Sequence, residues 1–244
     1  MTELAIRPEL LRNLPDDKQR QLRDYRDLLF RWNQRFNLTA IREPEAIDAR
    51  LIADALRLLP AIDEELARRD GELCLIDLGT GAGLPGLVVK IARPEIAIVL
   101  VDATNKKIQF VQHVVTELGL TATRTVHGRA EDIGQHLDYR GQFDLVTARG
   151  VASLPTLLEL TVPLLVVGGA FIFPKGQDLD NELGSGQIAA KTLGARIESA
   201  NLLPGDTSEP VTRLVRGVKI AATPGRYPRR AGIPNKEPLG RDGQ

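Results

Sequence analysis

LIDLGTGAGLPG, residues Leu75–Gly86, places an apolar run, an acidic residue and four glycines within twelve positions. A helical pattern, Leu84–Ala92, follows at once. Glycine lets backbone approach a ligand closely and reach positive φ without steric cost. A helix that opens just after such a turn aims its unpaired N–H groups into the crevice. The stretch therefore predicts a strand–loop–helix unit with a nucleotide-like ligand at the end of a parallel strand.

Outward from this unit the pattern alternates. Strands are predicted at Leu73–Leu78, Ala97–Val101, Thr121–Val126, Phe143–Thr147, Gly169–Phe173, Arg196–Ala200 and Thr212–Ala221. Helices are predicted at Thr104–Leu118, Ala130–His136, from Leu154 onward and at Gln187–Leu193. Such alternation indicates βαβ units and a doubly wound, mostly parallel sheet of the Rossmann-like α/β class. Two helices precede the first strand. Asp16–Phe36 carries Leu22, Tyr25, Leu28, Leu29 and Trp32 at helical spacing, and Pro44–Leu59 repeats the pattern from an allowed proline start. The expected organisation is an N-terminal helical cap over 1–70, a core over 71–222 and a tail over 223–244. The tail is rich in Pro, Gly and Arg, and predicts no regular structure unless it docks.

Composition narrows the class. The apolar content of 43% is ordinary for a globular protein. No apolar run approaches the roughly 20 residues that span a bilayer, and the N-terminus lacks a signal-peptide pattern. A soluble cytoplasmic protein with no membrane partner is expected. Cys74, the single cysteine, excludes an internal disulfide and a cysteine-rich metal site, and lies in an apolar run that suits a small buried thiol. His113, His127 and His136 show no metal-ligand spacing, so no metal is expected. Lys+Arg and Asp+Glu balance at 32 each, but from Val211 to Gln244 eight bases face two acids. That asymmetry allows a local basic face on a neutral protein. No heptad or broad apolar stripe calls for an oligomer, and a monomer is expected.

The loop must next be matched to a ligand. Gly81, Gly83 and Gly86 fit GxGxxG, and Asp102 lies about 20 residues on, where an acid takes ribose hydroxyls. Both features suit a nicotinamide-dependent oxidoreductase. Asp77, just before Gly79 in DLGTGAG, favours another ligand. A loop built to approach a negative pyrophosphate has no use for a carboxylate in its first strand. A cofactor with an amino group and a sulfonium can use one, so S-adenosylmethionine is preferred. Ala130 and Glu131 after the third strand would flank its adenine. Glu131 also suits a plain helix N-terminus. Arg149 closes the fourth strand, beside the switch point where ligands sit in open sheets.

Missing residues speak to the acceptor. Exocyclic-amine methylation uses an Asn/Asp-Pro-Pro-aromatic box after the fourth strand, where this chain reads ARGVASLP. Methylation at pyrimidine carbon needs a cysteine nucleophile, and Cys74 lies in the wrong strand. Guanine N7 carries a free lone pair and no proton, so its methylation needs positioning rather than a strong base.

With these residues in place, the chain resembles the small-subunit rRNA guanine-N7 methyltransferase G family, also called glucose-inhibited division protein B. The matching segments are NLTAI (37–41), LIDLGTGAGLPGL (75–87), VDATNKK (101–107), GRAED (128–132), FDLVTARGVASL (143–154), PKG (174–176) and YPRRAGIPNKEPL (227–239). The resemblance implies the class I S-adenosylmethionine-dependent methyltransferase fold. It also implies methylation of N7 of one guanosine in the decoding-region loop of 16S rRNA, with 16S rRNA or the small ribosomal subunit as partner. Cofactor contacts carried over by motif are Gly79, Leu84, Asp102, Ala103, Thr104, Ala130, Glu131 and Arg149, with Arg149 also in the catalytic position. Lys106, Lys107, Lys175, Arg229 and Arg230 are the candidate RNA contacts. The chain departs from the family where an Arg-His-x-x-Asp-Ser-Leu segment is usual: it reads Arg50, Leu51, Ile52, Ala53, Asp54, Ala55, Leu56. No role can be assumed there for the absent histidine and serine. Two other readings stay open, the oxidoreductase and a non-catalytic RNA-binding protein.

Overall fold

The computed structural model describes residues 3–203 and 212–240. In chain order the elements are α1 (Pro8–Leu11), α2 (Asp16–Phe36), α3 (Pro44–Ile47), a π-helical turn (Asp48–Ile52), α4 (Ala53–Leu56), α5 (Leu59–Ala67), β1 (Cys74–Leu78), α6 (Gly86–Ala92) and β2 (Ala97–Asp102). There follow α7 (Asn105–Glu117), β3 (Thr123–His127), α8 (Ala130–Gln135), β4 (Phe143–Thr147), α9 (Leu154–Thr161), β5 (Leu165–Lys175), α10 (Leu179–Thr192), β6 (Ala195–Leu202), β7 (Arg213–Lys219) and α11 (Ile233–Lys236). The strand order is β3–β2–β1–β4–β5–β7–β6 in a seven-stranded sheet. Two compact units form: Met1–Leu73 with Thr80–His127, and Cys74–Gly79 with Gly128–Gln244.

In the first unit, α2 begins on two acids, Asp16 and Asp17, and ends at Asn37 in the left-handed region (φ 48°) with its N–H on the Asn33 carbonyl. Its inward stripe, Leu22, Tyr25 and Leu29, is fully buried. The helix expected over Pro44–Leu59 is interrupted. A π turn at 48–52 keeps Asp48, Leu51 and Ile52 all buried, and Pro60 in the first turn of α5 requires a fresh helix start. Asp48 accepts from the Ala5 amide at 2.9 Å and pairs with the buried Arg26 at 3.2 Å. α6 is buried along its whole length, and its Lys90 donates to the carbonyls of Pro94 and Ile96 at 2.7 Å each. β2 and β3 pair in parallel, with Asp102 opposite His127.

In the second unit, β1 pairs in parallel with β4, Asp77 opposite Thr147, and β4 with β5. One strand of the mostly parallel sheet runs the other way: β7 is antiparallel to both β5 and β6. The chain between Leu202 and Arg213 is too short for the crossover a parallel neighbour requires. β5 and α10 are longer than their apolar patterns indicated, because Leu165–Gly168 and Leu179–Gly186 lack clear periodicity. Cys74 at the start of β1 is half-buried rather than enclosed.

The segment from Thr223 docks. Arg140 donates to the carbonyls of Tyr227 at 2.6 Å, Gly134 at 2.9 Å and Thr223 at 3.1 Å. Tyr227 and Leu239 are buried, and Thr156 donates to the Pro234 carbonyl at 2.8 Å. Residues 241–244, with Arg241 and Asp242, lie outside the described residues.

Candidate active site

The glycine loop is fixed by backbone bonds and one tyrosine. In the first unit the Thr80 amide donates to the Val101 carbonyl at 2.8 Å, which ties the loop to β2. The amides of Gly83 and Leu84 both reach the Thr80 carbonyl at 2.8 Å, closing a tight turn. The Tyr25 hydroxyl donates to the Ala82 carbonyl at 2.8 Å from a fully buried position on α2. Leu84 is buried, with Gly81 and Gly83 at positive φ beside it.

Asp102 ends β2 and is 6% exposed. One of its carboxylate oxygens accepts from the Gly81 amide at 2.9 Å and the other from the Thr104 amide at 2.8 Å. Two backbone donors hold the carboxylate flat against the loop, and each oxygen keeps a further lone pair. Lys107, one turn into α7, stands 3.8 Å from it. Ala103 is exposed, and its carbonyl meets Nε2 of His127 at 3.1 Å. Lys106 is exposed. Thus Gly81, Asp102, Thr104 and Lys107 come together as one cluster.

The second unit carries the other predicted positions. Gly79 ends the β1 turn at φ +72°, and a Cβ there would stand 2.6 Å from Cγ2 of Val151. Glycine is thus required both by conformation and by the loop that follows β4. That loop begins at the half-buried Arg149, continues through Gly150 at φ +66°, and is pinned from below. Lys175 at the end of β5 donates to the Ala152 carbonyl at 2.9 Å and pairs with Glu182 at 2.8 Å. Glu182 in turn accepts from the Leu154 amide at 2.7 Å. Lys175 therefore shapes the loop instead of standing open to a phosphate.

Ala130 and Glu131 open α8, and one Glu131 oxygen accepts from the Gly232 amide of the docked C-terminal segment at 2.9 Å. Arg229 is bound to Glu159 by two bonds of 2.9 and 2.7 Å, and Glu159 has no exposure at all. This pairing raises the arginine's pKa and uses its charge inside the protein. Arg230 is exposed. In the first unit Asp54, which survives in the altered segment 50–56, pairs with Arg57 one turn on. Sequence reasoning placed Tyr25 only in the apolar stripe of α2 and did not single out Glu159 or Glu182. A tyrosine within an apolar helical stripe is a usable signal for the first, since its buried hydroxyl must find an acceptor. The two glutamates have no local signature.

The family model GidB, described as rRNA small subunit methyltransferase G, matches residues 18–208. The chain belongs to this family. The ribosomal RNA small subunit methyltransferase G of Chloroflexus aggregans is 42% identical over 226 residues, covering 93% of this chain and 92% of that protein. Its counterpart in Alkaliphilus metalliredigens is 38% identical over 231 residues, covering 95% of each. Among solved structures, a mutant of the 16S rRNA (adenine(1408)-N(1))-methyltransferase from Catenulisporales acidiphilia matches with a TM-score of 0.52. It is 16% identical and covers 66% of this chain and 92% of that one. WbdD matches with a TM-score of 0.53 at 21% identity, over 74% of this chain and 43% of that one. These likenesses show the fold alone, a Rossmann-like α/β arrangement. Among the described residues no helix is long and apolar enough to cross a membrane. The same residues contain no cluster of three potential metal ligands from His, Cys, Asp and Glu.

Proposed function

We propose that this family member is an S-adenosylmethionine-dependent methyltransferase of small-subunit rRNA, acting on N7 of a guanosine in the decoding-region loop. The observation that carries the cofactor reading is Asp102. Its carboxylate is nearly buried yet retains acceptor capacity on both oxygens, next to the exposed backbone of Ala103. That arrangement suits a pair of vicinal ribose hydroxyls, so the residues present fit the group. When bound, S-adenosylmethionine supplies an electrophilic methyl on a sulfonium. The protein's own task is positioning. In the first unit the Tyr25-anchored turn at Ala82 sets the loop and Thr104 and Gly81 orient Asp102, with Leu84 and Ala103 as further proposed contacts; Gly79, Ala130 and Glu131 are the proposed contacts of the second unit. Arg149, at the exit of β4, is the proposed residue beside the acceptor base. A guanine N7 has no proton to lose, so the site needs an aligned lone pair and a tolerated positive charge rather than a general base. The partner is 16S rRNA or the small subunit, the protein acts as a cytoplasmic monomer, and no metal takes part.

Incubating the protein with methyl-labelled S-adenosylmethionine and either naked 16S rRNA or assembled small subunits tests this reading. The expected result is label at N7 of a single guanosine, located by mapping the modified base. No incorporation into either substrate overturns it. Calorimetric titration with S-adenosylhomocysteine and with NAD separates the oxidoreductase reading, since only the first is expected to bind.

A further inference from the structure

Along α2 and α7, within the first unit, runs a groove of about 670 Å³ that the proposed chemistry does not use. Leu28, Arg31, Trp32, Arg35, Phe36 and His113 line it. Trp32 is the hub of the aromatic side: its ring lies 5.1 Å from Phe36, 5.2 Å from His113 and 5.5 Å from the fully buried Phe110. Phe36 is 39% exposed. The spacing has a simple geometry. Trp32 and Phe36 form one i,i+4 ridge of α2, and Arg31 and Arg35 form the adjacent one, so an aromatic strip runs beside a basic strip.

The arginines are exposed, and neither makes an ion pair among the described residues. The acid one turn before Arg31, Asp27, is already paired with Arg26 at 2.8 Å. No acidic side chain lines the groove. A cluster of mutually tilted rings with Phe36 partly exposed, flanked by uncompensated guanidinium groups, has the chemistry that holds single-stranded nucleic acid. Each base offers a flat π-face to the rings, and each phosphate a charge to the arginines. A second copy of this chain is a poorer occupant, since a two-fold contact would set like charges against one another.

We propose that this groove docks unpaired nucleotides of the RNA substrate, with a base stacked on Trp32 and Phe36 and neighbouring phosphates on Arg31 and Arg35. The inference rests on the rRNA reading given above and adds a place where the RNA is held. Trp32 lies seven residues, about 10 Å of helix rise, beyond Tyr25, whose hydroxyl anchors the glycine loop. The groove therefore grips RNA flanking the modified base rather than the base itself.

Trp32 is the chain's single tryptophan, so its fluorescence reports the groove directly. Titrating the full-length protein with hexauridylate is expected to quench this emission saturably, and the apparent affinity should fall as salt rises. In the double variant Arg31→Glu/Arg35→Glu the affinity for hexauridylate should fall about tenfold or more, with the S-adenosylmethionine dissociation constant unchanged. KM for rRNA should rise while kcat holds. Absence of quenching by hexauridylate, or equal quenching of wild type and double variant, overturns the proposal. So does quenching by RNA-free subunit proteins without quenching by hexauridylate, which assigns the groove to a protein. The titration needs no methyl transfer, so its failure is distinguishable from a failure of wild-type protein to methylate rRNA.

Discussion

The exit of β2 and the exit of β4 are built on opposite electrostatic plans. At β2, in the first unit, Asp102 is held by two neutral amide donors and keeps lone pairs for a ligand. At β4, in the second unit, charge is closed upon charge. Lys175, under the loop that follows β4, is tied to Glu182; elsewhere in the same unit Arg229 is tied to Glu159, and Arg140, just before β4, donates to carbonyls of the docked C-terminal segment. The first plan suits the binding role proposed for Asp102, and the second forms a frame that braces the fold. The contrast corrects the simplest reading of the basic C-terminal segment, because a count of arginines overstates an RNA surface when some of them serve internal carboxylates. Lys106 and Arg230, by contrast, are exposed.

The frame should break most expensively. Arg229→Ala strands the Glu159 carboxylate, which has no exposure, and removal of one partner of a buried pair costs about 3–5 kcal/mol. Urea unfolding should show that loss, and Glu159→Gln should recover part of it when combined with Arg229→Ala. A change below about 1 kcal/mol would mean that the pair does not hold the segment. The binding group should behave differently. Asp102→Ala is expected to weaken S-adenosylmethionine by about 1.5–3 kcal/mol, the range for hydrogen bonds to a charged group, with a smaller effect on unfolding. Calorimetry on a folded variant decides it, and an unchanged dissociation constant removes Asp102 from the site.

The same contrast explains what was legible in the sequence. The β2 exit could be read because its parts are local: Asp102, Ala103 and Thr104 adjoin, and the glycine loop carries its conformational demand in its composition. The strands and helices from β1 to α9 followed from periodicity for the same reason. The frame was unreadable because its partners are far apart. Glu159 and Arg229 are 70 positions apart, and Glu131 meets Gly232 across 101. No pattern of period 2 or 3.6 links such residues. The interrupted helix after Pro44 failed for a third reason, since the π turn answers a buried Asp48–Arg26 pair that apolar spacing does not register. The reversal of β7 was legible in principle, in the short chain that precedes it.

Two smaller effects sharpen the comparison. Tyr25→Phe removes the hydroxyl that fixes the Ala82 carbonyl, and should reduce S-adenosylmethionine affinity by about 1 kcal/mol, roughly fivefold, with the fold retained. If affinity is unchanged, the loop holds its shape through the backbone bonds from Thr80, Gly83 and Leu84 alone.

On the frame side, Lys219 is buried with Nζ on the Leu165 carbonyl at 2.7 Å, and burial together with the charge of Arg140 lowers its pKa to about 8. The folded protein therefore releases this proton at a pH where the unfolded chain, near 10.5, still binds it. Stability rises with pH wherever the unfolded state binds more protons, so this group's contribution should increase from pH 7.5 to 9 by about 1 kcal/mol. Lys219→Met has no proton to release and should lose that increment. Unfolding free energies of the two proteins at both pH values give the difference directly. A parallel pair of pH dependences would show that Lys219 keeps an ordinary pKa, and that its carbonyl contact compensates the charge within the frame as fully as the ion pairs compensate theirs.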